Sequence, residues 1–300
     1  MDTRAFLSSL GLPEGDRGKL APSGGKFASG ADFGIEIPTV NTVEALRSLL
    51  RESDALGVTV NRVDETLGGG RHTESELREY VRVCRDRAVA LNISIGPRAT
   101  TDLSATRLTE QGKYLGYRLR GTEQLVHALD DAKRSCDCGA RGLIVYDEGL
   151  LWVLNEARRV GELPKDVRFK LSAHCGYGNA ASLRLAEKLG ADSVNPVRDL
   201  PLSMLGGLRA ALAVPLDIHI DCPAASGGFH REYEAGEIVR VCAPVFLKTG
   251  NSVLSAHGAL TGENEAVRMA RQAALTLEYV HRYAPEAKQL LPGEAQPQCG

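Results

Sequence analysis

Residues 167–174 (VRFKLSAH), 179–190 (NAASLRLAEKLG), 191–196 (ADSVNP), 200–212 (LPLSMLGGLRAAL) and 215–221 (PLDIHID) spell strand, helix, strand, helix, strand. The last of these strands says most. Leu216, Ile218 and Ile220 alternate with Asp217, His219 and Asp221, and alternate residues of a strand face opposite sides. In 168–174, Phe169, Leu171 and Ala173 share one face, while Lys170, Ser172 and His174 share the other. Parallel strands between helices are normally apolar on both faces. Ionisable residues on one buried face therefore predict a closed barrel with a polar interior, and an active site is the usual reason to bear that burial.

The same alternation extends in both directions. FGIEIP (33–38) reads as a first strand with Gly34 and Glu36 inward. Asn41 and Glu44 mark the capped start of helix 42–56. Residues 58–63 form a second strand with Asn61 inward, and Thr73 and Glu76 cap the next helix after the loop DETLGGGRH. Residues 91–97 place Asn92 and Ser94 inward with Arg98 at the end. The fourth strand, 142–146, runs into Asp147 and Glu148, and the eighth, 244–249, turns Phe246 and Lys248 inward. Eight strands alternating with helices spell a (β/α)8 barrel of the TIM type; a doubly wound open parallel sheet would give a similar alternation. Residues 31–284 are expected to form the catalytic barrel, with 1–30 a flexible N-terminal arm and 285–300 a disordered tail.

Composition narrows the function. The 300 residues are 43% hydrophobic and 25% charged, with a formal net charge of −2. That charge makes no bulk electrostatic case for nucleic acid. No apolar run approaches the roughly 18 residues of a membrane span, and the N-terminus lacks a signal-peptide core. A cytoplasmic protein is expected, with its seven cysteines mainly thiols. The sequence leaves room for a homo-oligomer.

Chemistry in this fold gathers at the C-terminal ends of the strands. His174, His219, Lys248, Glu36 and Asp221 are the candidate catalytic residues, and Arg98, Asn61, Ser172, Asn195, Gly176 and Gly178 the candidate substrate contacts. Arg98 and Lys248 would hold a carboxylate or phosphate, and the histidines would move protons. Glu36 and Asp221 would orient the histidines or join them as ligands of a divalent metal: Glu36, His174, His219 and Asp221 offer the oxygen and nitrogen donors such an ion takes. Lys248 reads as an ion-pair partner, a substrate cation or a Schiff-base nucleophile, and the deeper Lys170 as structural. The glycine-containing loop 176–179 enters a helix directly, a place that favours an anion. His72 stands out among the remaining histidines because it follows Gly68-Gly69-Gly70 and Arg71.

The run from His174 to Asp221 resembles the barrel of the collagenase-like peptidase family U-32. The resemblance rests on Asn179, Leu189-Gly190-Ala191, Arg198-Asp199-Leu200, His219 and the segment Cys222 to Gly227. It covers about 60 residues closely and implies a TIM barrel, with peptidase activity by the family label. Its better understood relatives are iron–sulfur proteins that hydroxylate RNA or quinone precursors. This chain departs from their four-cysteine motif, since Phe229 and His230 follow Gly227-Gly228 where the next cysteine would stand. An iron–sulfur cluster is therefore not expected.

The leading expectation is an enzyme of small-molecule metabolism doing acid–base chemistry on a small anionic substrate, as in a carbon–carbon lyase or isomerase. The alternatives are a peptidase or amide hydrolase and a noncatalytic barrel acting as a partner subunit.

Overall fold

The computed structural model describes residues 2–15, 20–97, 109, 116–255 and 258–296. Eight short strands lie in chain order: β1 Phe33–Ile37, β2 Arg62–Glu65, β3 Ala90–Ser94, β4 Gly142–Val145, β5 Arg168–Leu171, β6 Ser193–Val194, β7 Leu216–His219 and β8 Val245–Lys248. Each pairs in parallel with the next, and β1 pairs with β8 through Phe33–Val245 and Glu36–Lys248. This closure makes the sheet a TIM barrel and removes the open-sheet alternative.

Among the described residues the α-helices are α1 Thr3–Ser9, α2 Val43–Ala55, α3 Glu74–Asp86, α4 Gly121–Asp137, α5 Glu148–Val160, α6 Ala180–Lys188, α7 Leu202–Arg209, α8 Ala235–Cys242 and α9 Glu263–Tyr283. Their apolar stripes cover outward strand residues such as Ile35, Val63, Phe169, Ile218 and Leu247, all 0–1% exposed. The Thr73–Glu76 capping box starts α3 as expected. At α2 the cap is Thr42, whose hydroxyl accepts from the Ala45 N–H at 3.0 Å. Asn41 instead ties the β1 and β2 loops, accepting from the Thr66 N–H at 2.7 Å. No helix of the described residues is long and apolar enough to cross a membrane.

The sequence reading placed β2 at 58–63 with Asn61 inward; the strand runs over 62–65, and Arg62 and Asp64 point into the barrel. Asn61 lies on the other face, accepting from the Ile35 N–H at 2.9 Å and donating to the Leu290 carbonyl at 2.8 Å. A one-residue change of register exchanges the faces of a strand.

The chain ends are built into the barrel floor. Gln289 pairs with Phe33 in a parallel bridge, the Asp32 N–H donates to Lys288 O at 2.7 Å, and Leu290 is 1% exposed. A Cβ on Gly34 would stand 2.9 Å from both Leu290 and Phe246, so the missing side chain makes room for this plug. The arm joins from the other side: the Ser23 N–H donates to Arg240 O at 2.8 Å, and Phe27 meets Phe246 edge-on at 5.1 Å. Within 20–30 and 285–296, Ser23, Phe27, Gln289 and Leu290 touch the barrel, while most of the other residues of both segments are exposed. Burial explains this, since Leu290 and Phe27 cover apolar surface at the N-terminal end.

Leu290→Ala should lower the unfolding free energy by about 2–5 kcal/mol. The neighbouring Leu291→Ala, at a position 64% exposed, should stay within about 0.5 kcal/mol. Urea denaturation of both variants checks this, and equal effects would mean that Leu290 is no plug.

Candidate active site

Six ionisable side chains fill the middle of the barrel. Arg62, Lys170 and Lys248 are the cations, and Glu36, Asp64 and Asp217 the anions; all six are nearly or fully buried. The Arg62 guanidinium bridges Glu36 and Asp217 and lies 3.5 Å over the Phe246 ring. Lys170 and Lys248 each bond Glu36 and Asp64, at 2.8 and 2.6 Å to the Asp64 carboxylate. Lys170 also lies 3.7 Å from Asp217. Asn92 donates to Asp64 at 2.8 Å, and Ser193 to Asp217 at 2.8 Å. The cage is balanced, which is what allows burial of so many charges.

Burial and neighbouring charge pull these groups apart. Burial raises the Asp64 carboxyl, but the Lys170 and Lys248 ammoniums outweigh it and hold it well below the usual range. Asp217 is likewise held down, by Arg62 and Lys170 against its burial. For Glu36 burial wins and pushes the carboxyl up. Burial also wins at Lys170, whose ammonium is disfavoured. At Lys248 it loses to Asp64, Glu36 and Asp217, which raise the ammonium's pKa.

Above the cage, at the C-terminal ends of the strands, opens a narrow well of about 20 Å³. Asp64, Lys170 and Lys248 reach it from the cage, with Ile144 and His219 beside them. The wall carries Tyr146, Ser172, His174, Asn195, Arg198 and Asn251. Thr39, in the turn after β1, is a β-branched residue at φ 63 whose hydroxyl donates to Asn251 at 3.2 Å. Such a conformation costs about 1–3 kcal/mol and tends to occur at functional sites.

The hydrogen bonds assign the histidine protons. Arg198 Nη2 lies 3.2 Å from His174 Nε2 and can only donate, so Nε2 is the bare nitrogen. Nδ1–H then faces Ser172 Oγ at 3.2 Å. The ring stacks on Tyr117 at 4.1 Å between centroids. The Asn195 amide donates to the Pro196 and Asp217 carbonyls at 3.1 and 3.0 Å. That turns its oxygen to His219 Nε2 at 3.4 Å, making Nε2 a donor. His219 Nδ1 is buried without a hydrogen-bond partner. Burial, then Arg198, Lys248 and Lys170, hold the His219 imidazole well below its ordinary pKa, so it is neutral.

Of the residues expected at the site, His174, His219, Lys248, Ser172 and Asn195 line the well. Glu36 sits in the cage beneath it. Asp221 turns aside: its Oδ2 accepts from the Ser252 N–H at 2.8 Å and from the Ser252 hydroxyl, while burial pushes the carboxyl up. Asn61 lies on the outer face of the barrel among backbone partners, and Arg98 lies outside the described residues. Gly176 sits at φ 77 in the loop after β5, and a Cβ on Gly178 would stand 2.8 Å from Val197. The α6 start is capped by Asn179, which accepts from the Ser182 N–H at 3.0 Å. Neither glycine lines the well.

The expected metal set is similarly divided. Glu36 is held by three cations, Asp221 by Ser252, and His174 by Ser172 and Arg198. Among the described residues no three His, Cys, Asp or Glu side chains are gathered to hold a metal ion. These four residues therefore do not fit a divalent ion as one ligand set.

The sequence reading missed Arg62 and Asp64 as inward residues because of the β2 register. It chose between Asp147 and Glu148 at β4, whereas Tyr146 faces the well and Asp147 caps α5, accepting from the Leu150 N–H at 3.0 Å. Arg198 was noted only within its tripeptide, because a residue in a loop after β6 has no strand alternation to mark it.

Known proteins add little to this geometry. No family model matches the chain, and no curated protein matches it. Among solved structures, a U32 peptidase is 15% identical over 68% of this chain and 73% of its own, at a TM-score of 0.39. Thiamine phosphate pyrophosphorylase from Pyrococcus furiosus is 13% identical over 85% and 98%, at 0.49. A native KDPGal structure is 11% identical over 84% and 96%, at 0.49. None of these establishes a family for the chain; the barrel rests on its own strand pairing.

Arg62→Met would leave Glu36 and Asp217 facing each other across a dry space, and should cost about 3–5 kcal/mol in unfolding free energy. Arg51→Met, which breaks only the surface pair with Glu263, should cost about 0–1 kcal/mol. Chemical denaturation compares them directly, and similar losses would mean the cage is no more than a set of surface-like pairs.

The His219 shift gives a pH dependence with a definite sign. Its folded pKa lies below the unfolded one, so the unfolded chain takes up a proton that the folded chain refuses. Stability from His219 is present above about pH 6.5 and falls as pH drops below it. The depressed Asp64 and Asp217 add a second loss below about pH 3.9. Between neutrality and about pH 5 His219 should thus take stability away, while His72 and Asp131, whose folded pKa values are raised, add it. His219→Gln should therefore gain melting temperature relative to wild type as pH falls through this window. An unchanged profile would remove His219 as its source.

Proposed function

We propose that this barrel is an enzyme that binds a small carboxylate or phosphate at the well and moves protons beside it. The observation that carries the reading is Arg198. Among the described residues its guanidinium forms no ion pair; it contacts His174, and its Nε is buried without a partner. The cage beneath is balanced, so among the described residues Arg198 adds a positive charge that no carboxylate pairs. A guanidinium fork suits a carboxylate or phosphate, and Arg198 takes the part expected of Arg98.

Two histidines then stand beside the bound anion. His219 borders the well and is neutral, the protonation state a general base needs. His174 has its proton on Nδ1 and its Nε2 against Arg198, which sets that nitrogen beside the anion Arg198 would bind. A substrate held by its anionic end with its reacting carbon near both rings is positioned for proton abstraction beside a carbonyl. Carbon–carbon cleavage and isomerisation both begin with that step. The narrow closed part of the well, about 20 Å³, holds a water-sized group, which favours a small molecule over a peptide chain.

The test is binding followed by exchange. Inorganic phosphate and pyruvate should each raise the melting temperature of the wild type, by about 2.7 kcal/mol of stabilisation at a hundredfold excess over Kd. Arg198→Gln should abolish the shift. In D2O, pyruvate methyl protons should exchange in the presence of wild type and not of His219→Gln. Equal shifts in wild type and Arg198→Gln, or none in either, would overturn the anion site.

A further inference from the structure

A second, larger pocket reaches the cage from the N-terminal end of the strands. It measures about 310 Å³, and the buried Arg62 and Lys170 border it from the cage. Phe27, Leu91, Pro215 and Phe246 give it apolar walls. We infer that this pocket is a binding site for a small carboxylate carried on a flat apolar ring. The site is separate from the well and does not depend on the reading given to it.

The space exists because of a glycine. Ile144 on β4 borders the well, so Gly142, two residues earlier, faces the same interior nearer the N-terminal end. A Cβ on Gly142 would overlap the Asn92 amide oxygen, which leaves β4 without a side chain at this level. Gly34 on β1 omits one in the same way, but Leu290 and Phe246 take that space. Beside Gly142 the space stays open and forms part of the pocket. Its volume and its mixture of apolar wall with a few placed polar groups are those of a small-molecule site.

The polar groups select the ligand. Four cationic side chains border the pocket, Arg62, Arg141, Arg168 and Lys170, against two carboxylates. Both carboxylates are already engaged. Asp192 accepts from Arg158, Arg168 and the Phe169 N–H, at 2.7, 3.1 and 2.8 Å. The exposed Glu294 accepts from the Leu291 N–H at 2.8 Å. Arg62 turns Nε and Nη2 to the cage carboxylates, whereas among the described residues its Nη1 meets Ser193 Oγ at 3.4 Å. That long contact leaves donor capacity for a carboxylate at the pocket's inner end. The ring has its place on the apolar side. Phe246 carries Arg62 at 3.5 Å over its face and meets Phe27 edge-on at 5.1 Å, and a further flat ring extends that cluster.

The probe is para-fluorobenzoate, observed by its fluorine resonance. It should bind the wild type with a Kd of about 1 mM. Ala295→Trp and Val214→Trp alter half-buried positions that border the pocket on different segments. Each should weaken binding at least about tenfold, with circular dichroism confirming that the variants are folded. Arg198→Gln should leave binding unchanged, so the outcome stands apart from phosphate binding at the well. Para-fluorobenzamide, of the same shape without the charge, should bind at least about tenfold more weakly. Absence of binding to the wild type at about 10 mM overturns the site, as does undiminished binding by both tryptophan variants. Loss of binding in Arg198→Gln moves the ligand to the well and overturns it too. An amide that binds as tightly as the acid overturns carboxylate recognition.

Discussion

Six charges must be neutralised in a space that admits almost no water, and much of the barrel's design follows from that. Each cation has at least two carboxylate partners, drawn from strands across the barrel: Arg62 on β2 reaches Glu36 on β1 and Asp217 on β7. Such contacts form only when β1 and β8 close the sheet in the observed register. A slip of one residue would turn a charge outward among the helices and leave its partners unpaired in the dry interior. The cage therefore selects one register as well as filling the barrel.

The floor and the mouth are consequences of the same requirement. Water entering from the N-terminal end would weaken the ion pairs; Leu290 and Phe246, packed over Gly34, cover part of that end, beside a pocket of about 310 Å³ that Arg62 and Lys170 border. At the other end the cage is left open to a narrow well, so its Lys170 and Lys248 form part of the site. The field of those ammoniums joins burial in keeping His219 neutral. An electrostatic feature that holds the barrel together thus also sets the protonation of a candidate base.

The barrel was legible because its outer face keeps a strict apolar alternation, visible in Leu216, Ile218 and Ile220. The same alternation gave Glu36, His174, His219 and Lys248 their inward positions. It failed at β2, where Val58, Val60 and Val63 do not keep one parity and Asn61 lies between them. Asn61 is buried and polar, yet its partners are a backbone group of β1 and the Leu290 carbonyl and Gln289 side chain, over 220 residues away. The packed tail was illegible for a related reason. A stretch rich in Pro, Gly and Gln carries no periodicity, and Leu290 acquires its meaning from the hole that Gly34 leaves. Arg198 has the same character: its role comes from what a loop brings beside His174.

Stability alone does not account for the cage. Well-packed apolar side chains in place of buried ion pairs are often neutral or stabilising, and most TIM barrels fill this space with branched aliphatics. The cage spans the two ends of the barrel. Asp217 lies in register with Phe246 and Arg62 stacks on that ring, and Arg62 and Lys170 border a pocket of about 310 Å³ at the N-terminal end. Asp64, Lys170 and Lys248 reach the well at the C-terminal end. Placement beside the well, more than the number of ion pairs, is what joins the cage to the electrostatics of the candidate site.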